Sequence, residues 1–212
     1  SCNTSVDTGS AQAEEKVIMQ TRSVVASDQG SNYGGGWTHG SNGGTGFGLW
    51  SITTSGNAGA FIGDPAAASI TGMSTTSFAL YANPDASGAL VDATRQFSAP
   101  LNIGETFSFQ WGVNWDSGGT GNKGFILYSG GIGGTPEITV NMGGDSTITI
   151  NGNTMFSAYG VNAITFNFEY VNATTLRVYA TGRNGTETHD QNITISGAPD
   201  AFRFYAANLS TV

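Results

Sequence analysis

Phe107, Phe109, Trp111, Val113 and Trp115 occupy every second position of one run, with Thr106, Ser108, Gln110, Gly112 and Asn114 between them. Only an extended backbone sends residues i, i+2 and i+4 to one side, so this run reads as a strand with one face in a core and the other in water. The same period returns at Ile164, Phe166, Phe168 and Tyr170, at Leu176, Val178 and Ala180, and at Ile193 and Ile195. Shorter candidates cover residues 47–54, 60–63, 77–82, 90–97, 124–128, 137–141, 147–150 and 201–206. Turn signals such as NPDASG, SGGIGG, NGN and TGRNG separate them.

About a dozen short strands without a βαβ rhythm predict an all-β fold, an antiparallel two-sheet β-sandwich of jelly-roll type. Composition agrees. With 10% charged residues and 32 glycines, the chain has too few strong helix formers for a bundle. At 38% hydrophobic it is too apolar for disorder. Residues 16–212 read as one sandwich domain, opened by a strand near Lys16 that runs through Val17 to Val25. The polar residues 1–15 have neither period and read as an extended N-terminal arm. Such an arm stays ordered only against a surface, and Val6, Ala11, Ala13, Val17 and Met19 are its expected assembly contacts.

Seven Lys plus Arg at a net charge of −8 leave no basic footprint, which excludes nucleic acid as a partner and disfavours anionic membrane surfaces. No apolar run is long enough for membrane insertion. A start at Ser1 without an apolar leader reads as the mature form of an exported chain, so the expected location is extracellular or at the cell surface. Cys2 stands alone and precludes an internal disulfide or a multi-cysteine zinc site. Sequons at Asn3, Asn172, Asn184, Asn192 and Asn208 are compatible with export and occur at about chance frequency.

Catalytic chemistry finds little to work with. The DTGS at Asp7 to Ser10 lacks the second loop that an aspartic protease needs. His39 and His189 have no G-x-S-x-G partner, and Glu105, Glu137, Glu169 and Glu187 are scattered singly. The chain therefore reads as a non-enzyme, with no catalytic residues and no cofactor. Calcium is the one ion its oxygen-rich turns suit, with Asp85, Asp116, Asn122 and Asp145 as weak candidate ligands, and closing Asx turns is the preferred reading of the same residues. For a polysaccharide, Tyr33, Trp37 and Trp115 are the candidate exposed rings, and Trp111 reads as core.

The segments SNYGGGW, GSNGGTGFGLW, FIGDP, TSFALYAN, FSAPLNIGETFSFQWGVNWDSGGTGNKGF and SGAPDAFRFYA together resemble a recurrent module of secreted bacterial proteins. The resemblance implies a concanavalin-like or jelly-roll sandwich, brings no catalytic residues, and implies a further apolar strand after AFRFYA. A sandwich lacking that strand has an open groove, which an N-terminal arm from a neighbouring copy can fill by strand complementation. The expected function is thus a self-assembling structural subunit of an extracellular filament or surface layer, a homopolymer. The alternative is a carbohydrate-binding module of the same fold.

Overall fold

The computed structural model describes residues 23–114, 121–144 and 146–209. Within them lie thirteen strands: β1 (Ser51–Ser55), β2 (Ala58–Gly63), β3 (Ser77–Ala82), β4 (Leu90–Gln96), β5 (Thr106–Trp111), β6 (Asn122–Ser129), β7 (Thr135–Met142), β8 (Ile148–Ile150), β9 (Asn153–Phe156), β10 (Ile164–Asn172), β11 (Thr175–Thr181), β12 (Thr188–Thr194) and β13 (Pro199–Ala207). Helix among the described residues is limited to two 3₁₀ turns, at Gly30–Asn32 and Pro65–Ala68.

The strands form an antiparallel β-sandwich. One layer is a seven-stranded sheet in the order β1-β4-β13-β6-β7-β8-β9. The other holds a four-stranded sheet, β12-β11-β10-β5, and the separate hairpin β2-β3. Contacts fix the order in which the second layer covers the first. β2 lies against β1 and β4, β3 against β4 and β13, and β12 against β9. From β5, Phe107 stacks on Phe202 and Phe109 meets Phe125 and Phe204. Read across the molecule, the second layer is β2, β3, β5, β10, β11, β12.

The alternation explains the core. Phe166 and Phe168 of β10 are fully buried, and Phe125 of β6 packs edge-on to Phe166 at 4.8 Å and to Phe109 at 4.7 Å. Each such ring contributes roughly 1.5–3 kcal/mol by leaving water, and edge-to-face pairing adds about 0.5–1.5 kcal/mol per pair.

Several boundaries differ from the sequence reading. The run from Phe107 ends as a strand at Trp111. A Cβ on Gly112 would stand 2.7 Å from Ile70 and 2.8 Å from Met73, so the chain leaves the sheet where another segment crosses it. β9 was not anticipated. It follows β8 through Asn151 (φ 48°) and Gly152 (φ 80°), the pair of left-handed residues that a tight hairpin turn requires. β12 starts at Thr188, before the Ile193 and Ile195 signal. In the expected opening strand, residues 23–25 carry no strand, and its earlier part lies outside the described residues, as does the arm with Val6, Ala11, Ala13, Val17 and Met19.

The Gly-rich stretch folds back over one end of the sandwich around a buried cation. Arg95 sits on the inward face of β4, in register with Val91, Ala93 and Phe97. Its Nη1 donates to Asp28 at 2.5 Å, its Nε to the Gly48 carbonyl at 2.7 Å, and its Nη2 to the Gly43 carbonyl at 2.7 Å. The guanidinium lies over Phe47 and Trp50. A buried charge holds only when paired and hydrogen-bonded, and here the carbonyls of a glycine-rich loop complete the shell.

Candidate functional site

Between β3 and β5 the core is only partly covered by the described residues. Among the described residues no hydrogen-bonded pairing joins these strands, so the backbone edge of each faces a gap in the second layer. Phe204 forms the floor. It projects inward from β13, a central strand of the seven-stranded sheet, yet is only partly buried, unlike its neighbours Phe202 and Ala206 on the same face. Phe78 and Leu80 of β3 and Phe107, Phe109 and Trp111 of β5 line the sides and are all only partly buried.

Two segments approach this gap. Residues 70–73 cross its Trp111 end, where Gln110 donates to the Gly72 carbonyl at 2.8 Å. At the Ala82 end, the Leu209 amide donates to the Ala82 carbonyl at 2.9 Å, so the backbone following β13 arrives at the edge of β3. Neither segment forms a strand among the described residues. The lining strands, SFALYA and TFSFQW, contain no charged residue. Long uncharged edges are those that pair most readily with another strand.

The sequence-derived sites fare differently. Tyr33 and Trp37, expected as exposed rings, are interior at 7% and 3% exposure, which corrects their reading as a glycan platform. The cause is the fold-back around Arg95. Tyr33 packs edge-on to Phe78 at 5.3 Å, and Trp37 packs against Trp50 at 5.0 Å. The Tyr33 hydroxyl donates to Asp28, and burial followed by that carboxylate raises its pKa. Trp115 lies outside the described residues, as do Asp116 and Asp145. Trp111, read as core, is a partly buried wall of the gap.

The calcium candidates that are described behave as turn and ladder residues. Asp85 Oδ1 accepts from the Ser87 amide at 2.9 Å and its hydroxyl at 2.6 Å, and these bonds hold the carboxyl below its usual pKa. Asn122 accepts from Asn141 across the β6-β7 ladder. Among the described residues no three His, Cys, Asp or Glu side chains stand together as a metal site.

Carboxylates and His39 are also engaged within the fold. Glu137 accepts from the Ser129 hydroxyl (2.6 Å) and from the amide and hydroxyl of Ser196 (3.0 and 2.6 Å). Burial pushes its pKa up, but these hydrogen bonds outweigh burial and leave it lowered. Glu169 and Asp190 both pair with Arg177 on one face of the four-stranded sheet. Asp190 is held below the usual carboxylate range by its hydrogen bonds from Arg177, whereas a general acid needs a raised value. His39 Nδ1 accepts from the Ile52 amide.

The gap itself escaped sequence reading because it is a property of strand order. The available signal was the resemblance, with its implied extra strand. Arg95 is legible in the sequence as a cation on the period-two apolar face of Val91, Ala93 and Phe97.

Comparison with protein-family models, with curated proteins and with solved structures found no match. Among the described residues no helix is long and apolar enough to cross a membrane.

Proposed function

We propose that the protein is a non-enzymatic structural subunit of an extracellular filament or surface layer, joined to copies of itself by strand complementation. The observation that carries this reading is the gap between β3 and β5, floored by the partly exposed Phe204. The occupant is the N-terminal segment of a second copy. Ala11, Ala13, Val17 and Met19 fall on alternate positions and so share one face of an extended chain, the form accepted by a groove between two strand edges that no other described strand pairs with.

Val24 and Val25 support an arm that reaches outward. They are 81% and 64% exposed, so the chain entering the sandwich is not packed on its own core. Only at Ser27 does it pair, with Thr45. A contact in which one copy's arm enters another copy's groove is heterologous, and repeating it generates an open filament.

Deletion of residues 1–20 tests the assignment. The shortened chain is expected to give folded monomers, visible by size-exclusion chromatography and negative-stain microscopy, and a peptide of residues 10–20 is expected to bind them. Polymers that persist after the deletion would remove the arm from the mechanism. A full-length chain that stays monomeric, with its own arm in its own groove, would remove the assembly.

A further inference from the structure

The groove between β3 and β5 has a direction. Along β5, Phe107 stacks on Phe202 and Phe109 meets Phe204, so β5 runs the same way as β13. Along β3, Phe78 packs on Trp50, which in turn meets Phe202, and Ala82 clusters with Ala206. β3 therefore also runs with β13, and the two walls of the groove are parallel to each other. Every pairing between the described strands is antiparallel. Parallel strands within an antiparallel layer are separated by an odd number of strands. Both walls rest on β13, and neighbouring strands stand about 4.8 Å apart, so the space between them takes one.

The backbone phases of the two walls agree with a single occupant. The Asn83 amide donates to the Asn57 carbonyl, so alternate residues of β3 turn toward β2 and the backbone groups of Phe78, Leu80 and Ala82 face the groove. The Tyr170 amide donates to the Glu105 carbonyl, so Phe107, Phe109 and Trp111 turn toward β10 and the backbone groups of Thr106, Ser108 and Gln110 face the groove. The first set belongs to residues with inward side chains and the second to residues with outward ones. Direct pairing of β3 with β5 is therefore out of phase. One intervening strand matches both walls, bonding to β3 through its inward residues and to β5 through its outward residues. The Leu209 amide bonds to one of these groups, the Ala82 carbonyl, at 2.9 Å.

We propose that the groove accepts one strand in one direction: the arm of a neighbouring copy, running from the Ala82 and Trp111 end toward the Phe78 and Phe107 end, antiparallel to both walls. This direction rests on the arm-in-groove assembly proposed above. The course of the chain after the arm agrees with it. Tyr33, whose hydroxyl donates to Asp28, packs on Phe78, and a Cβ on Gly30 would stand 2.5 Å from the Thr76 carbonyl, so the chain that follows the arm lies at the Phe78 end of β3. An arm with this direction can make the same contacts in its own groove and in a neighbour's. Filament growth is then the exchange of one strand between identical copies.

Cysteine cross-linking of full-length protein carrying Cys2→Ser reads the direction. Glu14 and Gln20 alternate with Val17 and Met19, so cysteine there leaves the apolar face of the arm intact. Ser77 opens β3 and the exposed Asn83 follows its end, so the two stand about 20 Å apart along the wall. A short bismaleimide is expected to join Gln20→Cys to Ser77→Cys, and Glu14→Cys to Asn83→Cys, about tenfold faster than the crossed pairings, which such a linker cannot span. The expected product on a denaturing gel is a ladder of joined chains. Faster crossed pairings, or equal rates for all four, overturn the direction and leave the arm in the groove. The expected pairings within a single chain support the direction and overturn the assembly. No cross-link from the arm to either wall position overturns both.

Discussion

Asp28 and Arg95 are 67 residues apart in the chain and 2.5 Å apart in the fold, with side chains 7% and 1% exposed. This pair ties the glycine-rich segment to β4, and it is closed to solvent by Phe47 and Trp50.

Arg95→Met leaves the Asp28 charge buried without its partner. The expected loss is about 3–5 kcal/mol, read as a lower urea midpoint at unchanged slope. Adding Asp28→Asn to Arg95→Met should restore part of that loss. A double variant as unstable as the single one would show that packing, and not the charge, is what Arg95 supplies.

Gly46→Ala tests the entry of the chain. Gly46 has φ 80°, and a Cβ there would stand 2.4 Å from that of Ala26. The strain is expected to cost more than about 1 kcal/mol. It should also speed amide exchange at Ser27 and Thr45, whose mutual hydrogen bonds of 2.9 and 2.8 Å depend on that approach. Unchanged exchange at both amides would count against this account.

Acid is expected to destabilise the fold in two windows. Burial holds the His189 pKa below the usual imidazole value of 6.5, with the neighbouring Asp190 carboxylate opposing it. Between the folded and unfolded values the unfolded chain therefore binds the extra proton, so stability falls as pH drops through 6.5 and levels off below the folded value. His189→Gln should flatten that slope. At lower pH the depressed carboxyls of Glu137, Glu187 and Asp190 contribute stability that is present above their unfolded values and lost as pH falls through their folded ones. Chemical denaturation from pH 3 to 8 measures both windows.

Glu137→Ala removes one acceptor group from three donors at once, the Ser129 hydroxyl and the amide and hydroxyl of Ser196. A loss of about 2–4 kcal/mol is expected from the unsatisfied donors left behind, with the turn after β12 becoming susceptible to protease. A neutral result would show that water replaces the carboxylate.

The sheet content was legible because alternation is a local property. Phe107 to Trp111, Ile164 to Tyr170 and Leu176 to Ala180 each carry their own evidence of a buried face. The fates of Tyr33 and Trp37 were not legible, because their burial depends on Arg95 and Asp28, which lie outside their own segment. His189 lies on the edge strand β12. Its burial against Phe156 of β9 follows from how the two layers meet. Sequence period places a residue on a face; which face is covered, and by what, is decided between segments distant in the chain.

The open course between β3 and β5 also changes what it means to ask how stable this protein is. If a neighbour's arm completes the second layer, each subunit's folding free energy includes a binding free energy, and that part obeys mass action. The melting temperature should then rise with protein concentration and fall on dilution, and the durability of the material would belong to the assembled polymer more than to any single chain.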